Sequence, residues 1–171
     1  MYKRQVLYFS THQYPFYPGT GAVDEIGTGP GTGMTVNVPL PARCGDSEYL
    51  RVYEEILPPV ARRFQPQLLM VSAGYDPHWS DPISMMQVSV DGFARIVEIL
   101  KDLAQELCRG RILFTLEGGY DLRALPLSIK ATLEVLLDLP RTPDPLGPSP
   151  RAGMAPSIGS LLETVKRIHG L

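Results

Sequence analysis

The sequence has few cysteines and histidines, and it has no long apolar run. Its 171 residues include two cysteines, Cys44 and Cys108, which are too few for a disulfide framework or a zinc ribbon. We interpret them as reduced thiols of a cytoplasmic protein. No apolar run reaches the roughly 18 residues of a membrane span, and the polar start, Met1 to Gln5, is not a signal peptide. We therefore expect no membrane partner.

An excess of one charge is also missing. Sixteen Lys and Arg face eighteen Asp and Glu, which gives a formal net charge of −2 and a pI of about 5.9. A protein that binds nucleic acid through a basic surface would have a pI above roughly 9, so we expect no direct nucleic-acid partner. A hydrophobic fraction of 44% is typical of a globular chain, and the length predicts about one domain.

Glycine and proline, in contrast, are abundant and clustered. Seven of the 16 glycines lie between Gly19 and Gly45, which indicates a long loop. Six of the 17 prolines lie between Pro140 and Pro156. We therefore divide the chain into a main portion, residues 1–139, a Pro-rich linker, residues 140–156, and a C-terminal helix, residues 157–171.

Short apolar runs alternate with segments of helical periodicity. The predicted strands are 6–10, 35–38, 68–71 and 111–116. Apolar residues at helical spacing predict one helix after Asp46 and others over 93–107, 122–137 and 157–168. We predict Asp46 as the N-cap of the first helix. We expect the Pro58-Pro59 pair to kink or restart the first helix. The alternation predicts an α/β domain with a mainly parallel sheet flanked by helices. The run 68–71 is apolar on both faces, which is typical of a strand covered by helices on both sides.

Unusual residues follow these strands. Ligands of open α/β sheets bind beyond the carboxyl ends of the strands, where this chain places Asp76 and, after Glu117-Gly118-Gly119, Tyr120. A carboxylate just past a buried strand needs a hydrogen-bond partner or a metal ion. Two simpler interpretations stay open: Asp76 caps a turn with its own backbone, and Tyr120 is a buried tyrosine with a satisfied hydroxyl.

Taken together, the motifs resemble the C-terminal half of the histone deacetylase family, including bacterial-type acetoin-utilisation and acetylpolyamine deacetylases. The resemblance spans about residues 2–138. It is carried, in the family's order, by Tyr8-Phe9-Ser10-Thr11-His12, Phe16-Tyr17-Pro18-Gly19-Thr20-Gly21, Val36-Asn37-Val38-Pro39-Leu40, Ser72 to Asp76, Asp81-Pro82-Ile83 and Leu116-Glu117-Gly118-Gly119-Tyr120-Asp121. It implies a partial arginase/deacetylase fold and zinc-dependent hydrolysis of an acetylated lysine in a protein or an acetylated small amine such as a polyamine.

The resemblance also assigns roles to single residues. Asp76 matches a zinc ligand, and Tyr120 matches the catalytic tyrosine that polarises the acetyl carbonyl and stabilises the oxyanion. The matches to the substrate tunnel are Tyr17 at its wall, Ile83 at its rim, and Gly118 and Gly119 at its floor. More weakly, Ser10 and Thr11 match positions that bind a structural potassium ion.

Part of the family's machinery has no counterpart in this sequence. The family's remaining zinc ligands come from an Asp-x-His motif and its proton transfer from a His-His pair, whereas the three histidines here match neither. We expect His12 to be a hydrogen-bonded histidine at a strand end, His78 to face substrate at the rim together with Trp79, and His169 to be solvated.

We therefore expect a truncated half of a zinc deacetylase that is inactive alone, with the N-terminal half in a separate or missing chain. The alternative is a non-catalytic interaction module or a decaying remnant of such an enzyme.

Overall fold

The computed structural model describes residues 5–171. Its elements are β1 (Tyr8–Gln13), β2 (Thr35–Leu40), α1 (Asp46–Glu55), α2 (Leu57–Phe64), β3 (Leu69–Gly74), α3 (Val90–Cys108), β4 (Ile112–Gly118), α4 (Ala124–Leu136) and α5 (Gly159–His169), with a 3-10 turn at Gly29–Gly31. In this part of the chain, no helix combines the length and the apolar character needed to cross a membrane.

The strands pair in parallel, as the sequence predicts. β1 pairs with β2, from Tyr8 opposite Thr35 to Gln13 opposite Leu40. β3 pairs with β4 from Leu69 opposite Ile112, and the register shifts between Ala73 and Gly74. Over the described residues these are two separate two-stranded sheets, not one continuous sheet.

The core lies between the sheets and the helices. Its fully buried members include Val36 and Val38 of β2, Ile56 before α2, and Leu162 and Val165 of α5. α5 therefore closes the core formed by the first half of the chain. A smaller cluster joins α3 to α4.

Two sequence predictions about the first helix have different outcomes. The Pro58-Pro59 pair does restart the helix, because α1 ends at Glu55 and both prolines lie in the first turn of α2, where missing N–H groups cost nothing. The prediction of Asp46 as N-cap is wrong, since Gly45 occupies that position. The Asp46 carboxylate instead accepts hydrogen bonds from the backbone N–H (2.8 Å) and hydroxyl (2.6 Å) of Ser89, the N-cap of α3.

Only one face of the β3–β4 sheet is covered. Val71 and Phe114 pack against the core, whereas the alternating position Met70 is 71% exposed and Leu113 is exposed as well. Helices therefore flank this sheet, as predicted, but within the described residues they cover only one of its faces.

The Pro-rich segment 140–156 is attached to the main portion by hydrogen bonds. The Trp79 indole N–H donates to the Gly147 carbonyl (3.1 Å), and the Ser149 hydroxyl donates to Gln87 (2.6 Å). Arg141 pairs with carboxylates of α3, at 2.7 Å from Asp91 and 3.0 Å from Glu98.

Candidate functional site

Two loops meet at the carboxyl ends of β3 and β4. The loop after β3 and the loop after β4 are joined by hydrogen bonds to Asp81, a buried residue of the first of these loops. Its Oδ1 accepts a hydrogen bond from the Ile83 N–H (2.9 Å), and its Oδ2 accepts one from the Tyr120 N–H (2.7 Å). One carboxylate thus fixes the backbone at two of the predicted site residues.

Asp76 lies above two glycines at this end of the sheet. Cβ atoms at Gly74 and Gly118 would lie 2.7 Å and 2.8 Å from Asp76 Oδ1, so any larger residue at either position would displace the carboxylate. The backbone adds a further restraint, because the Tyr75 N–H donates to the Gly118 carbonyl (2.9 Å). Gly118, which we predict at the tunnel floor, therefore makes room for the Asp76 side chain, and so does Gly74.

The Asp76 carboxylate is half-buried and short of partners. Its own backbone N–H favours the charged form, and no hydrogen bond found within residues 5–171 reaches the carboxylate from another residue. Burial raises the pKa of Asp76, and the negative charge of Asp81 raises it further. This local backbone contribution is of the kind expected for a turn cap, and it leaves most lone pairs of the carboxylate without a donor within the described residues, an arrangement that suits a cation ligand.

Tyr120 follows a turn that requires glycine. Gly119 has φ +124°, and a Cβ atom there would come within 2.9 Å of Leu125 and 3.0 Å of Tyr75. The Tyr120 side chain is 53% exposed. The alternative of a buried tyrosine with a satisfied hydroxyl is therefore wrong in this structure.

The predicted substrate contacts differ in their burial. Tyr17 is 91% exposed and Ile83 is also exposed. Tyr17 lines a cavity of about 320 Å³ together with Asp76 and Thr11, whereas Tyr120, Ile83 and Gly119 are not among the residues that line it. The structure thus gathers Asp76 and Tyr17 around one cavity, whereas Asp81 holds the Tyr120 backbone outside the lining of that cavity.

Ser10 and Thr11 use their hydroxyls inside the chain. The Ser10 hydroxyl lies 2.9 Å from His12 Nδ1, and the Thr11 hydroxyl lies 3.2 Å from the Tyr53 hydroxyl. His12 Nε2 lies 3.0 Å from the Gly21 carbonyl oxygen, which accepts its proton, so Nδ1 is the acceptor for Ser10. The expectation of a hydrogen-bonded His12 at a strand end is confirmed.

The other two histidines are not where the sequence suggested. His78 is fully buried, stacks on Phe93, and bonds Ser80 through Nδ1. A position on the substrate-facing rim is therefore wrong for His78, although Trp79 beside it is half-buried. His169 is buried too, not solvated, and its Nε2 finds no hydrogen-bond partner in the described part of the chain. The helical periodicity of 157–168 could not predict this burial, because it depends on the contact of the end of α5 with Arg63 of α2.

Two residues with a part in the site escaped the sequence analysis. Asp81 belongs to the Asp81-Pro82-Ile83 motif, to which the sequence assigned no role for the carboxylate. The signal that could have identified it is the one that identified Asp76, an acidic residue in the loop after a buried strand. Tyr49 lies on the apolar stripe of α1, so the sequence offered no reason to separate it from the core. In the structure it lines the cavity, and among residues 5–171 its buried hydroxyl has no hydrogen-bond partner.

A complete metal site is not formed by the described residues. Among residues 5–171, no three or more His, Cys, Asp or Glu side chains come together in a way that could hold a metal ion. A catalytic zinc takes three protein ligands and a water molecule. Asp76 thus suits one ligand position, and the described residues do not supply the other two.

Replacing Asp81 with Asn should weaken the junction of the two loops. The Asn side chain has one acceptor oxygen and one N–H₂ donor group. It can accept from the backbone N–H of Ile83 or of Tyr120 but not from both, so one buried hydrogen bond is lost. We expect the free energy of unfolding to fall by about 2 kcal/mol, measured by urea denaturation. Asp102→Asn, on the exposed face of α3, is the control and should stay within about 0.5 kcal/mol of the parent. Equal effects of the two variants would contradict the role of Asp81.

Acidification should destabilise the chain. Burial lowers the pKa of His169, and the positive charge of Arg63 lowers it further. Burial also lowers the pKa of His12, although the Gly21 carbonyl opposes the shift. These histidines bind protons less readily when folded, so their contribution to stability is complete above pH 6.5 and declines as the pH falls below it. The Tm should therefore fall between pH 7.5 and pH 5.5, and less steeply in His169→Asn. A Tm that rises on acidification would contradict the shifts.

Comparison with known proteins shows consistent similarities. The pattern of the histone deacetylase domain matches residues 1–136. "Histone deacetylase 14, chloroplastic" of Arabidopsis thaliana is 44% identical over 132 residues, which are 77% of this chain and 31% of that protein. A "Probable deacetylase" of Archaeoglobus fulgidus is 38% identical over 174 residues, covering 96% of this chain and 48% of that protein.

Solved structures give the same result. The crystal structure of the HDA15 HD domain superposes with a TM-score of 0.79 at 36% identity, covering 96% of this chain and 43% of that one. The structure of the histone deacetylase Clr3 also gives 0.79, at 32% identity, covering 96% of this chain and 27% of that one. This chain therefore spans less than half the length of each of these four proteins.

Proposed function

This chain belongs to the histone deacetylase family, and from that premise we propose that it supplies part of the active site of a zinc-dependent deacetylase. The proposed substrates are an acetylated lysine of a protein or an acetylated small amine such as a polyamine. The observation that carries the proposal is the position of Asp76, a half-buried carboxylate short of donors that sits above two glycines. The position of the Asp76 carboxylate is explained if this chain is one portion of an arginase/deacetylase domain.

In the proposed reaction, Tyr120 acts on the substrate carbonyl. Its exposed hydroxyl donates a hydrogen bond to the acetyl oxygen, which becomes an oxyanion as water adds to the carbonyl carbon. The Asp81 bond to the Tyr120 N–H fixes the backbone from which this side chain extends. Tyr17 and Ile83 contact the apolar stem of the substrate, and the glycine turn leaves room for the acetyl group.

The zinc part of the proposal rests on one residue of this chain. Asp76 fits one zinc ligand, because its carboxylate has unfilled lone pairs. A zinc ion held there would polarise the acetyl carbonyl and the attacking water. Since the described residues do not complete a three-ligand site, we propose that the remaining ligands and the proton-transfer groups come from the portion of the domain that this chain does not match, and that this chain alone is inactive.

Potassium fits less well than zinc. The Ser10 hydroxyl is engaged with His12 and the Thr11 hydroxyl with Tyr53. Both side chains therefore have partners within the chain, and we derive no role for a potassium ion.

The proposed location is the cytoplasm. The basis is the two buried, unpaired thiols Cys44 and Cys108, which suit a reducing compartment. Two relatives carry the word "chloroplastic" in their names, so a reducing organelle is the competing location. Fractionation of the source cells tests the choice, and recovery of the protein with an organelle would contradict it.

The activity proposal is tested by acetate release. The purified chain is incubated with an acetyl-lysine peptide or an acetylated polyamine, with zinc, alone and together with the portion of the Archaeoglobus fulgidus protein that it does not match. We expect no acetate from the chain alone, and chelator-sensitive release from the mixture. Chelator-sensitive hydrolysis by the chain alone would contradict the incomplete site. A mixture that binds zinc and releases no acetate from either substrate would contradict the deacetylase proposal.

A further inference from the structure

Hydrogen bonds connect the backbone of Asp76 with a later part of the loop that follows β3. The Ser84 hydroxyl donates to the Asp76 carbonyl oxygen (2.5 Å) and accepts from the Met86 N–H (3.3 Å). Ser84 therefore uses its single proton on the residue that carries the candidate zinc ligand, and a lone pair on the returning chain. The backbone position of Asp76 thus depends on where Met86 lies.

A buried glutamine fixes that part of the loop. The Gln87 side chain, in a residue that is 8% exposed, donates to the carbonyl oxygens of Met86 (2.7 Å) and Met85 (3.3 Å). Its amide oxygen accepts from the Ser149 hydroxyl (2.6 Å). The side-chain amide of Gln87 therefore uses its acceptor and its donors within the chain, and a buried amide bonded in this way holds a single orientation.

The series of hydrogen bonds ends in the Pro-rich segment 140–156. Ser149 is 6% exposed, so its bond to the loop is shielded from water. A second bond, from the Trp79 indole to the Gly147 carbonyl (3.1 Å), attaches the same segment near the beginning of the loop. The segment lies beyond residues 1–136, which match the histone deacetylase domain. An element outside the matched residues is therefore bonded to the loop that carries Asp76.

The Asp76 side chain needs this support from its backbone. No hydrogen bond found within residues 5–171 reaches the carboxylate from another residue. The close approach of Gly74 and Gly118 leaves space for the carboxylate, but a glycine offers no side chain to orient it. The direction of the carboxylate is therefore set mainly by the position of the Asp76 backbone, to which Ser84 is bonded.

We propose that Ser149 and Gln87 are positioning residues for the candidate zinc ligand Asp76. Ser149 orients the Gln87 amide, and Gln87 fixes the carbonyl of Met86. The Ser84 hydroxyl joins the same part of the loop to the Asp76 backbone. The inference rests on the proposed function, because Asp76 is positioned there as a ligand. Removal of the groups that orient a metal ligand typically lowers metal affinity 10- to 100-fold.

Hydrogen exchange of the full 171-residue chain without zinc gives the first test. Ser84→Ala leaves the Met86 N–H without its acceptor, so we expect the amides of Met86 and Asp76 to exchange at least about tenfold faster. Ser149→Ala loosens Gln87, and the same amides should exchange about threefold faster. Ser160→Ala, at an exposed position of α5, is the matched control and should leave both rates unchanged. Melting curves verify that each variant is folded.

Zinc affinity gives the second test. It is measured by competition with a chelator in an assembly of the chain with the portion of the Archaeoglobus fulgidus protein that it does not match. We expect the zinc Kd to rise about tenfold in Ser84→Ala and about threefold in Ser149→Ala. Ser84→Thr keeps the hydroxyl, so its Kd should stay within about twofold of the parent, as should that of Ser160→Ala.

The double variant separates positioning from a general loss of stability. Both serines act in one series of hydrogen bonds, so once Ser84→Ala is made, Ser149→Ala should weaken zinc binding no further. Unrelated structural effects would instead multiply.

Three results would overturn the proposal: unchanged exchange of Met86 and Asp76 in Ser84→Ala, a parent-like zinc Kd in both single variants, and multiplied effects in the double variant. An assembly that binds no zinc would contradict the proposed function, and the exchange rates would still decide whether Ser84 and Ser149 hold Asp76.

Discussion

Tyr120→Phe is expected to lower kcat about 100- to 1000-fold in a deacetylase assembled from this chain and the portion it does not match. Loss of one hydrogen-bond donor to a developing oxyanion has an effect of that size. KM should change less than threefold, because the hydroxyl acts mainly on the transition state. The fold should be unaffected, since the side chain is exposed and the bond from the Tyr120 N–H to Asp81 is a backbone contact.

The matched control for this loss is Tyr17→Phe. It removes the same hydroxyl from an aromatic side chain that is more exposed and that we assign to the tunnel wall. We expect its kcat to stay within threefold of the parent. Steady-state assays of the two variants, with melting curves to verify folding, separate the roles. Equal kcat values for Tyr120→Phe and the parent would contradict the role of the Tyr120 hydroxyl in the reaction.

Leu162→Ala should have the largest effect on stability among the changes considered. Leu162 is fully buried in the main core, where α5 packs against β2. Truncation of such a leucine costs about 3 kcal/mol, because transfer free energy is lost and a cavity remains. For a domain of this size, that cost lowers the Tm by about 9 °C.

Leu122→Ala makes the same substitution at a side chain that is 90% exposed. Its Tm should lie within about 2 °C of the parent. Thermal denaturation measures the Tm of both variants, so it compares the loss of a buried leucine of α5 with the loss of an exposed leucine. A small effect of Leu162→Ala would mean that α5 is not part of the cooperative unit in solution.

The sequence predicted the α/β class and the parallel pairing because both depend on local patterns. Runs such as Leu68 to Val71 have strand length, and the Asp76 loop lies where ligands bind in such sheets. The separation into two sheets was not predictable. It depends on the tertiary contacts of β1 and β3, which no pattern within either strand encodes.

The site was predictable where a residue type is unusual for its place, and not where packing decides. A carboxylate after a buried strand is unusual, so Asp76 stood out. A tyrosine on an apolar stripe is ordinary, so Tyr49 did not stand out, and only the fold shows that its hydroxyl lacks a partner among the described residues. The burial of His78 and His169 likewise follows from tertiary contacts, since helix and loop periodicity do not report how another element covers a side chain.

The position of α5 has a consequence for the order of events on the ribosome. Val165 and Leu162 complete a core whose other walls include β2 and Ile56, and Lys166 pairs with Glu55 at 2.8 Å. These partners are separated by more than a hundred positions in the chain. A nascent chain that has reached residue 140 has therefore made both sheets but not the side chains that seal them. We therefore expect folding to the final state to wait until translation has passed α5, and we expect chaperones to bind the apolar faces of β2 and α1 until then.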